Sequence, residues 1–204
     1  CFQPLASMDN ESERAWAAEW LTEILLQENV TITPKIKNEL WESLSNLSTA
    51  PARQRTITGL VTLTQDKEIR DALQIYTIEG SYGHLLDATE DSLSYGRWQC
   101  FEMDHLMTYT PGAVAPVLSY LFHRLDQRFN GDPTMLLLDE CWLFLSNPLF
   151  ANKIRDWLKT LRKANVAVIF ATQSLADMVE SPIFSTLNES CPTRLFLPNR
   201  KAME

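Results

Sequence analysis

Only six of the 204 residues are glycine, and none of the six is followed by Lys-Ser or Lys-Thr. The glycine-rich loop whose backbone N–H groups and lysine cradle a polyphosphate is therefore absent from this stretch. No run of 18 apolar residues occurs, so no segment reads as a membrane-spanning helix. The four cysteines, Cys1, Cys100, Cys141 and Cys191, form no C-x-x-C pair. The three histidines, His84, His105 and His123, have no cysteine or carboxylate grouping at metal-ligand spacing, which excludes a zinc-ribbon pattern and leaves no histidine assigned to metal. Cys100 and Cys141 fall in or beside segments read as buried strands, where cysteine behaves as a small apolar residue; a reducing setting follows. Positive charge is scarce too. With 18 basic against 26 acidic residues the net charge is -8, which argues against a chain-wide grip on nucleic acid or anionic lipid.

What the chain does have is a sharply marked stretch, Thr134-Met135-Leu136-Leu137-Leu138-Asp139-Glu140. Four apolar residues followed by two carboxylates predict a strand buried on both faces, with its charged pair emerging at the carboxyl end. A second candidate strand, Ala167-Val168-Ile169-Phe170-Ala171-Thr172-Gln173, also ends in polar residues, and a helix-length segment separates the two. Together they predict a βαβ unit presenting Asp139, Glu140 and Gln173 at the sheet edge where α/β proteins bind ligands. The chemistry suited to such an edge is nucleotide hydrolysis. Asp139 is placed to hold Mg²⁺ through water, Glu140 to polarise the water attacking a γ-phosphate, and Gln173 to contact that phosphate or that water. The plainer alternatives are a solvated strand end for the carboxylates and a turn cap for Gln173.

Residues 9–95 read as a helical lobe. Asn10 with Glu13 fits a capping box, and Trp16, Trp20 and Ile24 then repeat at four-residue spacing in a helix to about Gln27. Thr33-Pro34 opens a second helix with Ile36, Leu40, Leu44 and Leu47 on one face. Ile57, Leu60 and Val61 begin a third, and Asp66 caps a fourth carrying Ile69 and Leu73. From residue 96 the pattern alternates strands and helices, with strands at 98–103, 134–138, 167–171 and 194–197 and a strong helix from Val114 to Phe129. Crossovers of this length imply a mostly parallel sheet. The helix around Phe150, Ile154, Trp157, Leu158 and Leu161 has a basic opposite face of Lys153, Arg155, Lys159, Arg162 and Lys163. The opening Cys1-Phe2-Gln3-Pro4-Leu5, without an initiator Met, reads as a strand already under way, so residues 1–8 are expected to belong to the α/β core of 96–204, and the chain to be a fragment.

Several segments together resemble the VirB4/TrbE/CagE family of type IV secretion and conjugal transfer ATPases, the TrbE branch most closely. They are Phe2-Gln3-Pro4-Leu5, Glu13-Arg14-Ala15-Trp16-Ala17-Ala18-Glu19-Trp20, Phe101-Glu102-Met103, Leu138 to Leu145, Trp157 to Lys163, Phe170 to Leu175 and Glu189 to Asn199. The resemblance implies a RecA-like P-loop NTPase fold with an inserted helical lobe, acting as ATP hydrolase with ATP and Mg²⁺. It also implies a homo-oligomer, expected to be a hexamer, at the cytoplasmic face of the bacterial inner membrane. There it would be held peripherally by other inner-membrane components of the secretion system, with no direct DNA contact expected. On the family's motifs Asp139 and Glu140 match the Walker B pair and Gln173 the polar sensor. Arg155, Arg162 and Arg194 are three unranked candidates for an arginine finger reaching a neighbouring subunit's γ-phosphate; the plainer reading of the 153–163 face is a solvated surface. The family's P-loop precedes the Phe-Gln-Pro-Leu segment, so this chain is expected to be the C-terminal part of such an ATPase. The competing reading is a non-catalytic assembly module that lacks a nucleotide site.

Overall fold

The computed structural model describes residues 1–198 apart from Ser94, Tyr95, Asp104, His105, Met107, Thr110, Ser146, Asn147 and Ser174. Two compact units emerge, Cys1–His123 and Arg124–Glu204.

The first unit is helical, and its helices begin where short polar side chains accept orphan backbone N–H groups. Helix α1 (Glu11–Gln27) starts at Asn10, whose side chain accepts from Ser12 N at 2.9 Å. Glu13 does not complete the capping box; its carboxylate meets His123 Nε2 at 3.2 Å instead, while that imidazole stacks on Trp16 at 3.9 Å. Helix α2 (Pro34–Ser48) is capped by Thr33, α3 (Ile57–Leu63) by Thr56 and α4 (Lys67–Leu73) by Asp66. Their apolar faces meet in one core of Trp20, Leu21, Ile24, Leu40, Leu44, Leu47, Ile57, Leu60, Ile69 and Leu73.

A short helix α5 (Gly83–Leu86) follows, and then α6 (Pro111–Asp126), which has Pro116 in its interior. Proline has no N–H, so the Gly112 carbonyl one turn earlier loses its helical donor. The Tyr76 hydroxyl lies 2.8 Å from that Gly112 oxygen and 2.8 Å from Glu28 Oε1, sharing its proton between them. Burial, reinforced by the neighbouring Glu28, pushes the Tyr76 phenol well above its ordinary pKa. On the same helix the Trp20 indole N–H donates to the Pro116 carbonyl at 3.0 Å. The α6 helix as far as His123 thus packs with the lobe, so the compact units divide at 123/124 rather than at 95/96.

The expected strand at 1–8 is also not a strand. Residues 4–9 make turns, Leu5 and Met8 are fully buried in the helical unit, and Gln3 Nε2 donates to the Ala52 carbonyl at 2.6 Å. Nor do the described residues of 98–103 or 194–197 form strands: Trp98 is 90% exposed, and Leu195, Phe196 and Leu197 are exposed as well. A strand needs a neighbour for its ladder, and among the described residues the hydrogen-bonded sheet consists of two strands.

That sheet is the heart of the second unit. Strand β1 (Thr134–Leu138) runs parallel to β2 (Val166–Phe170), in a register from Thr134 opposite Val166 to Leu138 opposite Phe170. Helices α7 (Trp142–Leu145) and α8 (Pro148–Thr160) make the crossover, as expected of a βαβ unit. Phe150, Ala151, Ile154, Trp157 and Leu161 supply its buried face. Asp126 fixes the crossover, accepting from Trp157 Nε1 at 2.9 Å and from Lys153 Nζ at 2.8 Å. The amino ends of the strands are tied by two left-handed residues, Gly131 (φ 99°) and Asn165 (φ 60°): Thr134 N donates to Asn165 O at 3.1 Å, and Asn165 Nδ2 to Gly131 O at 3.2 Å. Helices α9 (Leu175–Glu180) and α10 (Phe184–Ser190) close the unit, α10 packing on α8.

One expectation fails in this sheet. Strand β1 is not buried on both faces, since Met135 and Leu137 are 68% and 58% exposed and share their face with the exposed Ala167 and Ile169 of β2. A parallel sheet needs a layer on each side, and the helices of this unit cover one.

Candidate active site

At the carboxyl end of β1 the ladder continues for one irregular step. Ala171 N donates to Leu138 O at 2.9 Å, as parallel pairing demands. Regular pairing would then bring Glu140 N to Ala171 O; instead Cys141 N takes that position at 2.9 Å. One residue too many therefore sits on the β1 side, a bulge accommodated by Glu140 at φ 50°, in the left-handed region that non-glycine residues seldom occupy. The displaced Glu140 N–H is not orphaned, because Asp139 Oδ1 accepts it at 3.0 Å.

The bulge turns the acidic pair towards the end of β2. Asp139 is exposed and Glu140 half-buried, and Gln173, three residues beyond Phe170, donates its Nε2–H to Glu140 Oε1. A carboxylate only accepts, so the amide nitrogen must face it. The structure thus brings together the three residues that the sequence singled out at this edge. It also adds Ala171 and Cys141 as the backbone stitch beneath them, a feature with no sequence signal, since neither residue type marks a bulge.

Cys141 is fully buried under the pair. Burial is the main reason its thiol is pushed up to about 11, with the Glu140 and Asp139 charges adding to the effect. Cys100, by contrast, is exposed rather than part of a buried strand. Because the thiolate is the nucleophile, iodoacetamide at pH 7.5 is expected to label Cys1 and Cys100 within minutes and to leave Cys141 unmodified until the protein is denatured; mass spectrometry of the peptides reads the result.

The arginines lie elsewhere. Arg155 is half-buried midway along α8, and Arg162 is exposed in the turn leading into β2. Arg162 is thus at the opposite end of the sheet from Glu140, about 16 Å away along a five-residue strand. Among the described residues neither has an acidic partner. Arg194 is engaged locally, its Nη2 donating to the Asn188 side chain and backbone carbonyls. None of the three is gathered to the acidic edge within the second unit. Phe144 is buried as a packing residue, whereas the Trp142 side chain lies outside the described residues. His84 meets the Tyr109 hydroxyl at 3.0 Å, His105 lies outside the described residues, and among those described no group of three metal-binding side chains occurs. No helix among them is long and apolar enough to cross a membrane.

Comparison with known proteins decides the family, since residues 62–204 match the TraG P-loop domain. The chain belongs to the TraG P-loop family. Within that family the VirB4/TrbE resemblance extends over the whole chain. It is 46% identical over 203 residues to the conjugal transfer protein TrbE of Rhizobium radiobacter, covering 100% of this chain and 24% of that protein. It is 45% identical over 203 residues to a probable conjugal transfer protein TrbE of Sinorhizobium fredii, covering 100% and 30% respectively. The type IV secretion system protein virB4 of Bartonella quintana is 28% identical over 204 residues, covering 98% and 26%. The chain thus spans about a quarter to a third of the length of these relatives. Its membership in a P-loop family gives the acidic edge a nucleotide context that the two strands alone do not supply.

Proposed function

We propose that residues 134–173 carry the acidic half of an ATP hydrolysis site, and that the protein energises conjugal transfer or type IV secretion. The observation that supports this most is the bulge, which sets Asp139 and Glu140 side by side at the carboxyl end of β1 and turns Glu140 to Gln173, in a chain of a P-loop family. The donors at this edge are carboxylate and amide oxygens, the hard ligand set that Mg²⁺ prefers. Asp139 Oδ1 already accepts the Glu140 N–H, which leaves Oδ2 to hold the ion through its water. Bound Mg²⁺ neutralises charge on the β- and γ-phosphates. Glu140, a half-buried carboxylate, accepts the proton of the attacking water, and its left-handed backbone keeps that acceptor clear of the strand. The phosphate-cradling loop lies outside these 204 residues in this reading. Arg155 and Arg162, remote from the edge in their own chain, are left to act in a neighbouring copy of an oligomer, as the finger role requires; Arg194 is the weaker candidate because Asn188 holds it.

The relatives named for conjugal transfer and type IV secretion supply the cellular role. A homo-oligomer at the inner face of the bacterial membrane, docked on other secretion components, is the assembly in which that role is exercised. The test is phosphate release by the full-length protein: turnover that depends on Mg²⁺ and stops on chelation is expected. Absence of both nucleotide binding and hydrolysis would replace this reading with a non-catalytic assembly module.

A further inference from the structure

The hydrolysis reading leaves the work of Gln173 open between touching the nucleotide and acting through another residue. Three features of the edge bear on it. Glu140 is the extra residue of a bulge, so the regular pleat, which aims strand side chains, does not aim this one. Its side chain has three rotatable bonds, and a carboxylate free to sample them would spend little time aligned on a water. Gln173 Nε2 donates to Oε1 of that same carboxylate. The two residues are joined by a short, closed frame, because Cys141 N–Ala171 O lies one residue from Glu140 and two from Gln173. The bond therefore spans two backbone points whose separation the sheet has already fixed.

We propose that Gln173 is a positioning residue for Glu140: across the two strand ends its amide fixes the carboxylate that the bulge has released from the pleat, and it acts through that carboxylate rather than on the γ-phosphate. The inference rests on the hydrolysis reading above. Glutamine fits the task because it carries a donor at the end of a long side chain without a charge that would attract the phosphates into the wrong place. Alanine removes the donor, and asparagine falls one methylene short of it.

The experiment uses the full-length protein and compares the wild type with Gln173→Ala, Gln173→Asn, Glu140→Ala and the double variant Glu140→Ala/Gln173→Ala. Turnover is measured against ATP concentration, and binding of ATPγS and ADP by calorimetry. A positioning role is expected to lower kcat about ten- to a hundredfold in both Gln173 variants, the range seen when a supporting hydrogen bond to a functional side chain is removed. Dissociation constants for ATPγS and ADP stay within about twofold of wild type, which also shows that the variants are folded. In the Glu140→Ala background the second substitution lowers the residual turnover no further, because its target is already gone. A γ-phosphate sensor behaves otherwise, weakening ATPγS about tenfold with ADP unchanged and costing the same factor in either background; that result overturns the proposal. Wild-type kcat in Gln173→Ala beside an impaired Glu140→Ala overturns it alone. Undiminished turnover in Glu140→Ala removes the hydrolysis role of Glu140 and the proposal together.

Discussion

Replacing Glu140 by glutamine is expected to lower ATP turnover by about 10²- to 10⁴-fold while leaving nucleotide affinity within about threefold. The two side chains have the same length and nearly the same shape, so the bulge that carries position 140 is not disturbed, and the Cys141 to Ala171 hydrogen bond that closes it involves backbone alone. What disappears is the negative charge and with it the ability to take a proton from water. A group that acts only in the transition state lowers kcat without raising KM when it is removed, and that split is the signature to look for. Steady-state phosphate release from the full-length protein, with ATPγS binding measured alongside, reads both quantities. Unchanged kcat would show that the carboxylate is a solvated strand end and nothing more.

The second large effect concerns stability. Trp20→Ala is expected to cost the helical unit about 3–5 kcal/mol. Trp20 is 2% exposed in the core of that unit, stacked on Trp16 at 5.6 Å, and no neighbouring side chain can expand to fill the space of an indole. The loss also strips the Pro116 carbonyl of its 3.0 Å donor. A buried carbonyl without a partner adds about 1–3 kcal/mol, so the total should fall at the upper end of the range. Urea unfolding followed by far-ultraviolet circular dichroism of the 204-residue chain measures it. Trp20→Phe is the informative partner, since it keeps an aromatic ring in the core but cannot donate. A loss below about 1 kcal/mol in Trp20→Ala would mean that the site collapses around the smaller side chain and that the core is loosely packed there.

Much of this molecule is legible in its residues, for reasons that are local. Asn10, Thr33, Thr56 and Asp66 are short side chains able to accept the first N–H groups of a helix, and each begins one. The spacing of Trp20 and Ile24, and of Ile36, Leu40, Leu44 and Leu47, puts apolar groups on one side of a 3.6-residue period, and those are the residues buried. Thr134 to Glu140 and Val166 to Gln173 announce a parallel pair with polar ends because two short apolar runs joined by a helix have few other ways to bury themselves. Segments such as 98–103 and 194–197 show the limit of the same logic. Their composition is that of strands, but strand formation depends on a partner's ladder, which composition does not contain.

The sequence by itself therefore determined where the lobe's main helices would begin, which two runs would pair, and that Asp139, Glu140 and Gln173 would share an edge, because each follows from periodicity or from a residue's own hydrogen-bonding groups. Only the tertiary structure decided the rest. The Tyr76 hydroxyl serves a carbonyl vacated by a proline 40 positions away, β1 keeps one face open, and Glu140 leaves the pleat to meet Gln173. Each of these depends on a group distant in the chain arriving at a particular backbone atom, and a one-residue slip in the ladder at Ala171 is set by the packing of both strands together, not by the preference of either.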